Sequence, residues 1–116
     1  MEEPDRQFHV TIPTHLKTND VILYNFKIQD HLLDQIYTIS FRFKDLQDYY
    51  KILLYKKFDL PEFPKTHFWS STNKDPQLIQ QRKQKLEQFF NIVLNDPKLR
   101  GQPEIKQFMK ICKQQG

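Results

Sequence analysis

Residues 40–53 read SFRFKDLQDYYKIL, and the spacing of the apolar residues changes its period within this stretch. The residues that lead into it place a large apolar side chain at every second position, which is the period of a β-strand. The residues that follow repeat apolar side chains at helical spacing. The pattern predicts a strand over about residues 35–41 that passes almost directly into a helix over about 44–55. The alternating residues are Tyr37, Ile39 and Phe41, and the helical ones are Leu46, Tyr49, Tyr50, Leu53 and Leu54.

Two stretches on the N-terminal side also carry strand-forming residues. Residues 7–12 form a short β-rich run that ends at Pro13, and residues 21–28 alternate apolar and polar side chains in their second half. The links between the stretches are short and polar, which favours hairpins over long crossover connections. The sequence therefore predicts three successive antiparallel strands.

On the C-terminal side, residues 56–74 show no periodicity. The segment contains Pro61 and Pro64, which fix φ and disfavour helix in the residues that precede them. Connections of this length within small domains are usually functional or disordered. We therefore predict a long loop with a polyproline-II-like stretch at its prolines.

A second helix is signalled at its start by Asp75 as N-cap and Pro76 at the first helical position. We predict it over residues 76–95 and a last helix over about 103–112. The whole pattern predicts an α+β domain, with a three-stranded antiparallel β-meander packed against a helical subdomain and a long proline-containing loop between the first two helices. A chain of 116 residues suffices for one core and not for two, so we expect a single domain over residues 1–116.

The charged residues favour anionic partners without choosing among them. Lys and Arg number 18 against 14 Asp and Glu, so the net charge is +4. Only four of the basic residues are arginines, and a guanidinium binds phosphate or carboxylate through a planar fork that lysine lacks. Two of them fall in terminal or loop segments, where we expect surface charge. The arginines are Arg6, Arg42, Arg82 and Arg100.

Composition also excludes several classes of function. No apolar run approaches the roughly 20 residues of a transmembrane helix, and two glycines do not make a glycine-rich phosphate loop. No His or Cys spacing matches a metal site, and Cys112 is predicted to be a packing residue, so we expect no catalytic residue, metal or cofactor. The single cysteine favours a reducing compartment such as the cytoplasm. The lysines are dispersed among acidic residues, so we expect no nucleic-acid binding.

Arg42 and Arg82 occupy unusual positions, and each has two open interpretations. Arg82 shares the apolar face of the second helix, four residues before Leu86. Either its stem lies on the core edge with its head in water, or the guanidinium is held against the domain and needs an anionic partner. Arg42 lies where the third strand meets the first helix. Either it helps the helix N-terminus to bind an anion, or it pairs with Asp45 or Asp48.

These stretches together resemble the PX (phox homology) domain family, including the PX domains of sorting nexins. SFRFKDLQDYYKIL looks like the family's strand-to-helix signature, in which a basic residue and an aromatic precede a polar pair and a large apolar residue. LPEFPK resembles its proline-rich loop, and NKDPQLIQQRKQKLEQFF is similar to its next helix, with an arginine four residues before a leucine. The matching residues are Arg42, Phe43, Lys44, Asp45 and Leu46, followed by Arg82 and Leu86.

The resemblance implies a membrane-targeting domain that binds a phosphoinositide, most often phosphatidylinositol 3-phosphate. It implies that Arg42 binds the 3-phosphate, that Phe43 lies against the inositol ring, and that Arg82 binds the 4- and 5-hydroxyls. It also implies that Lys65 contacts the 1-phosphate, although Thr66 occupies the position where the family usually has its lysine. We accordingly expect a monomeric domain, cytoplasmic and peripheral on endosomal or other phosphoinositide-bearing membranes.

The tip of the predicted loop carries Phe68 next to Trp69, the single tryptophan. One interpretation is that both rings fold back onto the core. The other is that they insert into the headgroup region of a bilayer, where tryptophan is favoured at the boundary between apolar and polar layers. Lys56 and Lys57, at the start of the loop, would add attraction to an anionic leaflet.

A protein-interaction module is the alternative function. Residues 61–64, Pro-Glu-Phe-Pro, form a PxxP pattern that is able to dock into an aromatic groove of a partner protein, and a helical face is a second such surface. In that case lipid binding would be weak or absent. The presence of both Arg42 and Arg82 favours the lipid-binding interpretation.

Overall fold

Three strands precede four helices along the residues that the structure, a computed structural model, describes, which are 7–19, 21–64 and 75–115. The strands are β1 (Phe8–Thr18), β2 (Val21–Asp30) and β3 (Gln35–Arg42). The helices are α1 (Phe43–Tyr55), α2 (Pro76–Asn95), α3 (Pro97–Arg100) and α4 (Pro103–Gln115).

The strands form one antiparallel sheet in the order β1-β2-β3. Ile28 in β2 pairs with Val10 on one side and with Tyr37 on the other, and Leu23 pairs with Arg42 near the opposite end of the sheet. The predicted α+β fold, with its antiparallel meander and the long connection between the first two helices, is confirmed.

Strand β1 is longer than the sequence predicted. The prediction ended it before Pro13, but β1 continues to Thr18, with a shift in register between Thr11 and Thr14. Proline lacks a backbone N–H, yet β1 lies at the edge of the sheet, where a missing donor and a bulge are tolerated. The proline therefore marks an irregularity in β1 and not its end.

Side chains of α2 cover the outer edge of β1. Three polar residues spaced four apart lie on one face of the helix about 6 Å from each other, close to the two-residue repeat of a strand at about 6.8 Å. Each accepts a hydrogen bond from a β1 backbone N–H, and this ladder holds α2 in place beside the sheet. The bonds run from Phe8 N to Asn95 Oδ1 (3.0 Å), from Val10 N to Asn91 Oδ1 (2.7 Å) and from Ile12 N to Glu87 Oε2 (2.7 Å).

Aromatic rings fill the space between the sheet and the helices. Phe108 of α4 stacks on Phe90 of α2 at 5.0 Å between ring centroids, and on Phe41 of β3 at 5.1 Å. Phe26 of β2 meets these rings edge-on. The cluster joins the sheet to two helices, so the junction of β3 with α1 rests on a rigid support.

The short helix α3 was not predicted, although its signal is present in the sequence. Asp96 precedes Pro97 just as Asp75 precedes Pro76, and both aspartates accept a hydrogen bond from a backbone N–H two residues later. The prediction also ended α4 at residue 112, whereas the helix continues to Gln115. Helix termini fray, so sequence patterns locate their ends less well than their centres.

Candidate functional site

The junction of β3 with α1 exposes a helix N-terminus beside a guanidinium. Arg42 is the N-cap of α1 in an extended conformation (φ −79°, ψ 151°), and its side chain does not cap the helix. The first backbone N–H groups of a helix carry partial positive charge, so they add to the charge of Arg42. Asp45 lies 3.5 Å from the Arg42 guanidinium, and the Arg42 side chain is 50% exposed. An ion pair this long and this exposed is weak, so it leaves Arg42 able to exchange Asp45 for another anion.

Arg82 of α2 is buried at the same site. It is only 7% exposed, so the interpretation that its head reaches water is wrong. Its guanidinium carbon lies 3.7 Å from the centroid of the Phe43 ring, a close cation–π contact. Its Nε makes no hydrogen bond within the described part of the chain. A buried donor without a partner costs about 1–3 kcal/mol, so Arg82 remains able to gain from an incoming acceptor.

Tyr24 of β2 is a further member of the site that sequence reasoning missed. Its hydroxyl is buried and makes no well-directed hydrogen bond to any described residue. Burial raises the pKa of Tyr24, while the positive charge of Arg82 beside it acts in the opposite direction. Tyr24 therefore stays neutral near Arg82. The alternating pattern of β2 predicted that Tyr24 faces inward, but only the packing of α2 against the sheet shows what it faces.

The described part of the connection after α1 is anchored beside Phe43. Phe63 stacks on Tyr50 at 4.4 Å between ring centroids with an interplanar angle of 9°, and it lies 5.6 Å from Phe43. Phe63 and Pro64 are both buried. The last residues described before position 65 therefore lie beside the Phe43 ring. The predicted site residues Lys65, Phe68 and Trp69 lie outside the described residues.

The lysines near the start of this connection differ in their surroundings. Lys56, which we expected to attract an anionic leaflet, donates to both carboxylate oxygens of Glu104 at 2.8 and 3.0 Å. This ion pair neutralises much of its charge at short range. Lys57 is exposed, with a positive φ of 66° just after α1.

The structure thus brings Phe43 and Arg82 into contact and places Arg42 next to Phe43 along the chain. Within residues 7–19, 21–64 and 75–115, no group of His, Cys, Asp or Glu is arranged to hold a metal ion. None of the helices described is both long and apolar enough to cross a bilayer. The arrangement offers two guanidinium groups, a helix N-terminus and an aromatic ring, which is the chemistry of an anion-binding site for a ring-shaped ligand.

Comparison with known proteins decides the family. The family model of the PX domain matches residues 33–112, which include Arg42, Phe43 and Arg82. The chain belongs to the PX domain family. PX domains are phosphoinositide-binding modules that target proteins to membranes, and they are not enzymes. This PX domain is therefore a lipid-binding module that associates peripherally with membranes.

Solved structures agree on the fold. Seven chains match this PX domain. One is described as the X-ray structure of a designed CISK-PX domain, with a TM-score of 0.74 and 23% sequence identity. The alignment covers 85% of this chain and 95% of that one. No curated protein matches the chain in a sequence search.

Proposed function

We propose that this PX domain binds phosphatidylinositol 3-phosphate on the cytosolic face of endosomal membranes. The observation that carries the proposal is the buried Arg82 guanidinium, which covers the Phe43 ring. Its Nε has no hydrogen-bond partner among the described residues, and the exposed Arg42 directly precedes Phe43 in the chain. A ligand with a phosphate and neighbouring hydroxyls supplies acceptors to both arginines at once. The proposed headgroup-binding residues are Arg42, Phe43, Lys65 and Arg82.

Each residue has a separate role in this proposal. Arg42 and the N-terminus of α1 bind the 3-phosphate, because a guanidinium fork and free backbone N–H groups both favour an anion there. Arg82 donates to the 4- and 5-hydroxyls, and Phe43 supports the inositol ring. Arg82 lies over one face of the Phe43 ring, so that ring holds the guanidinium at the place where the inositol hydroxyls bind. Lys65 follows the buried Pro64 and contacts the 1-phosphate.

Membrane contact adds to headgroup recognition. A single signal gives only marginal membrane binding, so we infer that Phe68 and Trp69 insert into the headgroup region while the pocket holds the lipid. Burial of Phe63 and Pro64 fixes the point from which the loop departs, next to Phe43. Headgroup capture and insertion therefore act at the same end of the domain.

The alternative, a PxxP docking segment, is disfavoured by burial. A PxxP ligand presents its prolines to grooves of a partner, but Pro64 is buried and Phe63 between the prolines is 7% exposed. Glu62 in the same segment is held by Lys85 at 2.8 Å. Presenting this segment to a partner would require Phe63 to leave its stack with Tyr50.

Liposome co-sedimentation with each mono- and polyphosphorylated phosphoinositide tests the proposal. Phosphatidylinositol 3-phosphate vesicles should bind best, and Arg42→Ala should abolish that binding while the melting temperature stays within about 2 °C, because the Arg42 side chain is half exposed and weakly paired. The matched control Lys27→Ala removes one exposed charge on β2 and should bind like the wild type. If no phosphoinositide binds better than phosphatidylserine vesicles, lipid recognition is wrong. If another phosphoinositide binds best, only the stated specificity is wrong.

A further inference from the structure

A cavity opens beside Phe8, at the end of the sheet where β3 begins. Its volume is about 620 Å³, within the range of ligand-binding clefts. It opens between the start of β1, helix α3 and one face of α4. Two buried apolar side chains, Phe8 and Met109, contribute to its lining and give it an apolar floor.

Four cations surround this floor, and none of the described residues that line the cavity is acidic. Lys106, Lys110 and Lys113 of α4 are exposed and spaced four and three residues apart, so they project from one face of the helix. None of the three forms an ion pair or a side-chain hydrogen bond with another residue that the structure describes. A concave surface lined by one sign of charge concentrates ligands of the opposite sign.

The fourth cation is fixed by the fold. Arg100 donates to the backbone carbonyl of Leu94 at the end of α2, at 2.9 Å. Its guanidinium carbon also lies 5.6 Å from the centroid of the Phe8 ring. Arg100 therefore serves as a rigid edge of the cavity, whereas the three lysines are free to follow a ligand.

The register of the sheet separates this cavity from the Arg42 site. Phe8 pairs with Asp30 and Asp30 pairs with Gln35, so the cavity lies at the end where β3 begins. Arg42 lies seven residues further along β3, which at a rise of about 3.3 Å per residue is about 23 Å from Gln35. If the Arg42 end faces a bilayer, as the proposed function holds, the cavity faces away from that bilayer. Its occupant is then not a lipid of the same membrane.

We propose that this cavity binds an acidic peptide segment of a partner protein. An apolar side chain of the segment packs on Phe8 and Met109, and its carboxylates pair with Lys106, Lys110 and Lys113. The combination of an apolar floor with a cationic rim matches this class of ligand better than a small inorganic anion, because such an anion has no apolar surface to pack on the floor. With a peptide at one end and a membrane at the other, the PX domain brings a partner protein to the lipid surface.

Fluorescence anisotropy with a labelled peptide tests the proposal on the full chain. The probe is a short peptide with several glutamates around a central phenylalanine. It should bind saturably, and the Lys106→Gln/Lys110→Gln double variant should weaken it at least about fivefold. The matched control is Lys27→Gln/Lys51→Gln, which removes the same charge from exposed lysines outside the cavity and should stay within about twofold of the wild type. All four changes lie on the surface, so folding is preserved.

Four further measurements decide between the proposal and its rivals. A peptide with glutamine for glutamate, or alanine for phenylalanine, should bind several-fold more weakly than the probe. The proposal is overturned if the probe does not bind, if the control variant loses as much affinity as the cavity variant, or if soluble inositol 1,3-bisphosphate displaces the probe. Phosphatidylserine vesicles that bind through Lys106 and Lys110 without any peptide binding would assign the cavity to lipid and also overturn it.

Discussion

The central carbon of the Arg82 guanidinium lies 3.7 Å from the centroid of the Phe43 ring. The two residues come from different helices and are 39 positions apart (82 − 43 = 39). The contact compensates part of the cost of burying a charge, but Nε has no acceptor within the part of the chain that the structure describes. A ligand that supplies an acceptor to Nε therefore lowers the free-energy cost of burying Arg82.

Replacing Arg82 by methionine should separate binding from stability. Arg82→Met removes a buried charge and keeps an apolar side chain, so we expect the free energy of unfolding to change by no more than about 1 kcal/mol. Binding of phosphatidylinositol 3-phosphate vesicles should fall at least about tenfold, since the donors to the ring hydroxyls are lost. Urea unfolding and vesicle co-sedimentation measure the two effects.

The conservative variant Arg82→Lys serves as the control. It keeps the charge and loses the planar fork, so it should recover only part of the affinity. A loss of more than about 3 kcal/mol of stability in Arg82→Met would contradict this account and assign Arg82 a structural role.

The aromatic ring at position 43 should be required for affinity. Phe43→Leu keeps apolar bulk but removes the face on which Arg82 lies, so headgroup binding should weaken by about three- to tenfold. Phe43→Tyr keeps the ring and should bind like the wild type. Calorimetric titration with soluble inositol 1,3-bisphosphate measures both. Equal affinities for the leucine and tyrosine variants would show that the ring plays no part.

The sequence predicted elements whose residues repeat regularly, and it predicted that Arg82 lies on the apolar face of its helix. Three strands and three of the helices follow from apolar spacing, and Arg82 lies on the buried face because it shares a helix stripe with Leu86. These features depend on neighbours along the chain. They can be read before the elements are packed together.

The features that the sequence did not reveal depend on packing between distant segments. Tyr24 faces Arg82 only once α2 lies against the sheet. Strand β1 continues past Pro13 because it lies at the edge of the sheet. The spacing of residues within a strand does not reveal the order of the strands, so the sequence did not predict this continuation. Phe63 looked like part of an irregular loop, yet it packs between Tyr50 and Phe89.

The side-chain ladder on β1 should contribute strongly to stability. Asn91 accepts from the Val10 N–H at 2.7 Å and donates to the Val10 carbonyl at 2.9 Å, so Asn91→Ala leaves both groups without these partners. We expect a loss of about 2–4 kcal/mol in the free energy of unfolding. Gln88→Ala, at an exposed position of the same helix, should change it by less than about 0.5 kcal/mol. Similar values for the two variants in urea unfolding would contradict the role of the ladder.

The tryptophan in the loop should report membrane insertion. Trp69→Ala should reduce vesicle binding by roughly tenfold and leave the affinity for soluble inositol 1,3-bisphosphate unchanged, because insertion acts only at a bilayer. The fluorescence of the wild type, which has one tryptophan, should shift to shorter wavelength on vesicles that contain the lipid. An equal loss for vesicles and for the soluble headgroup would show that Trp69 supports the pocket instead.

Cys112 of α4 is fully buried in the core, and burial raises the pKa of its thiol to about 12. The ordinary pKa of this thiol in an unfolded chain is about 9. Between these values the unfolded chain loses a proton that the native state keeps. Stability contributed by this difference is therefore present below about pH 9 and is lost as the pH rises towards the native pKa.

The free energy of unfolding should accordingly fall by about 1.4 kcal/mol more between pH 8 and pH 10 in the wild type than in Cys112→Ala. The comparison between the two proteins removes the contribution of lysines and tyrosines, which titrate in the same range in both. Chemical denaturation at each pH under reducing conditions measures the difference, and the alanine variant starts from a lower value because it leaves a small cavity. Parallel pH profiles for the two proteins would show that the thiol ionises equally in the native and unfolded states, which is incompatible with its burial in α4.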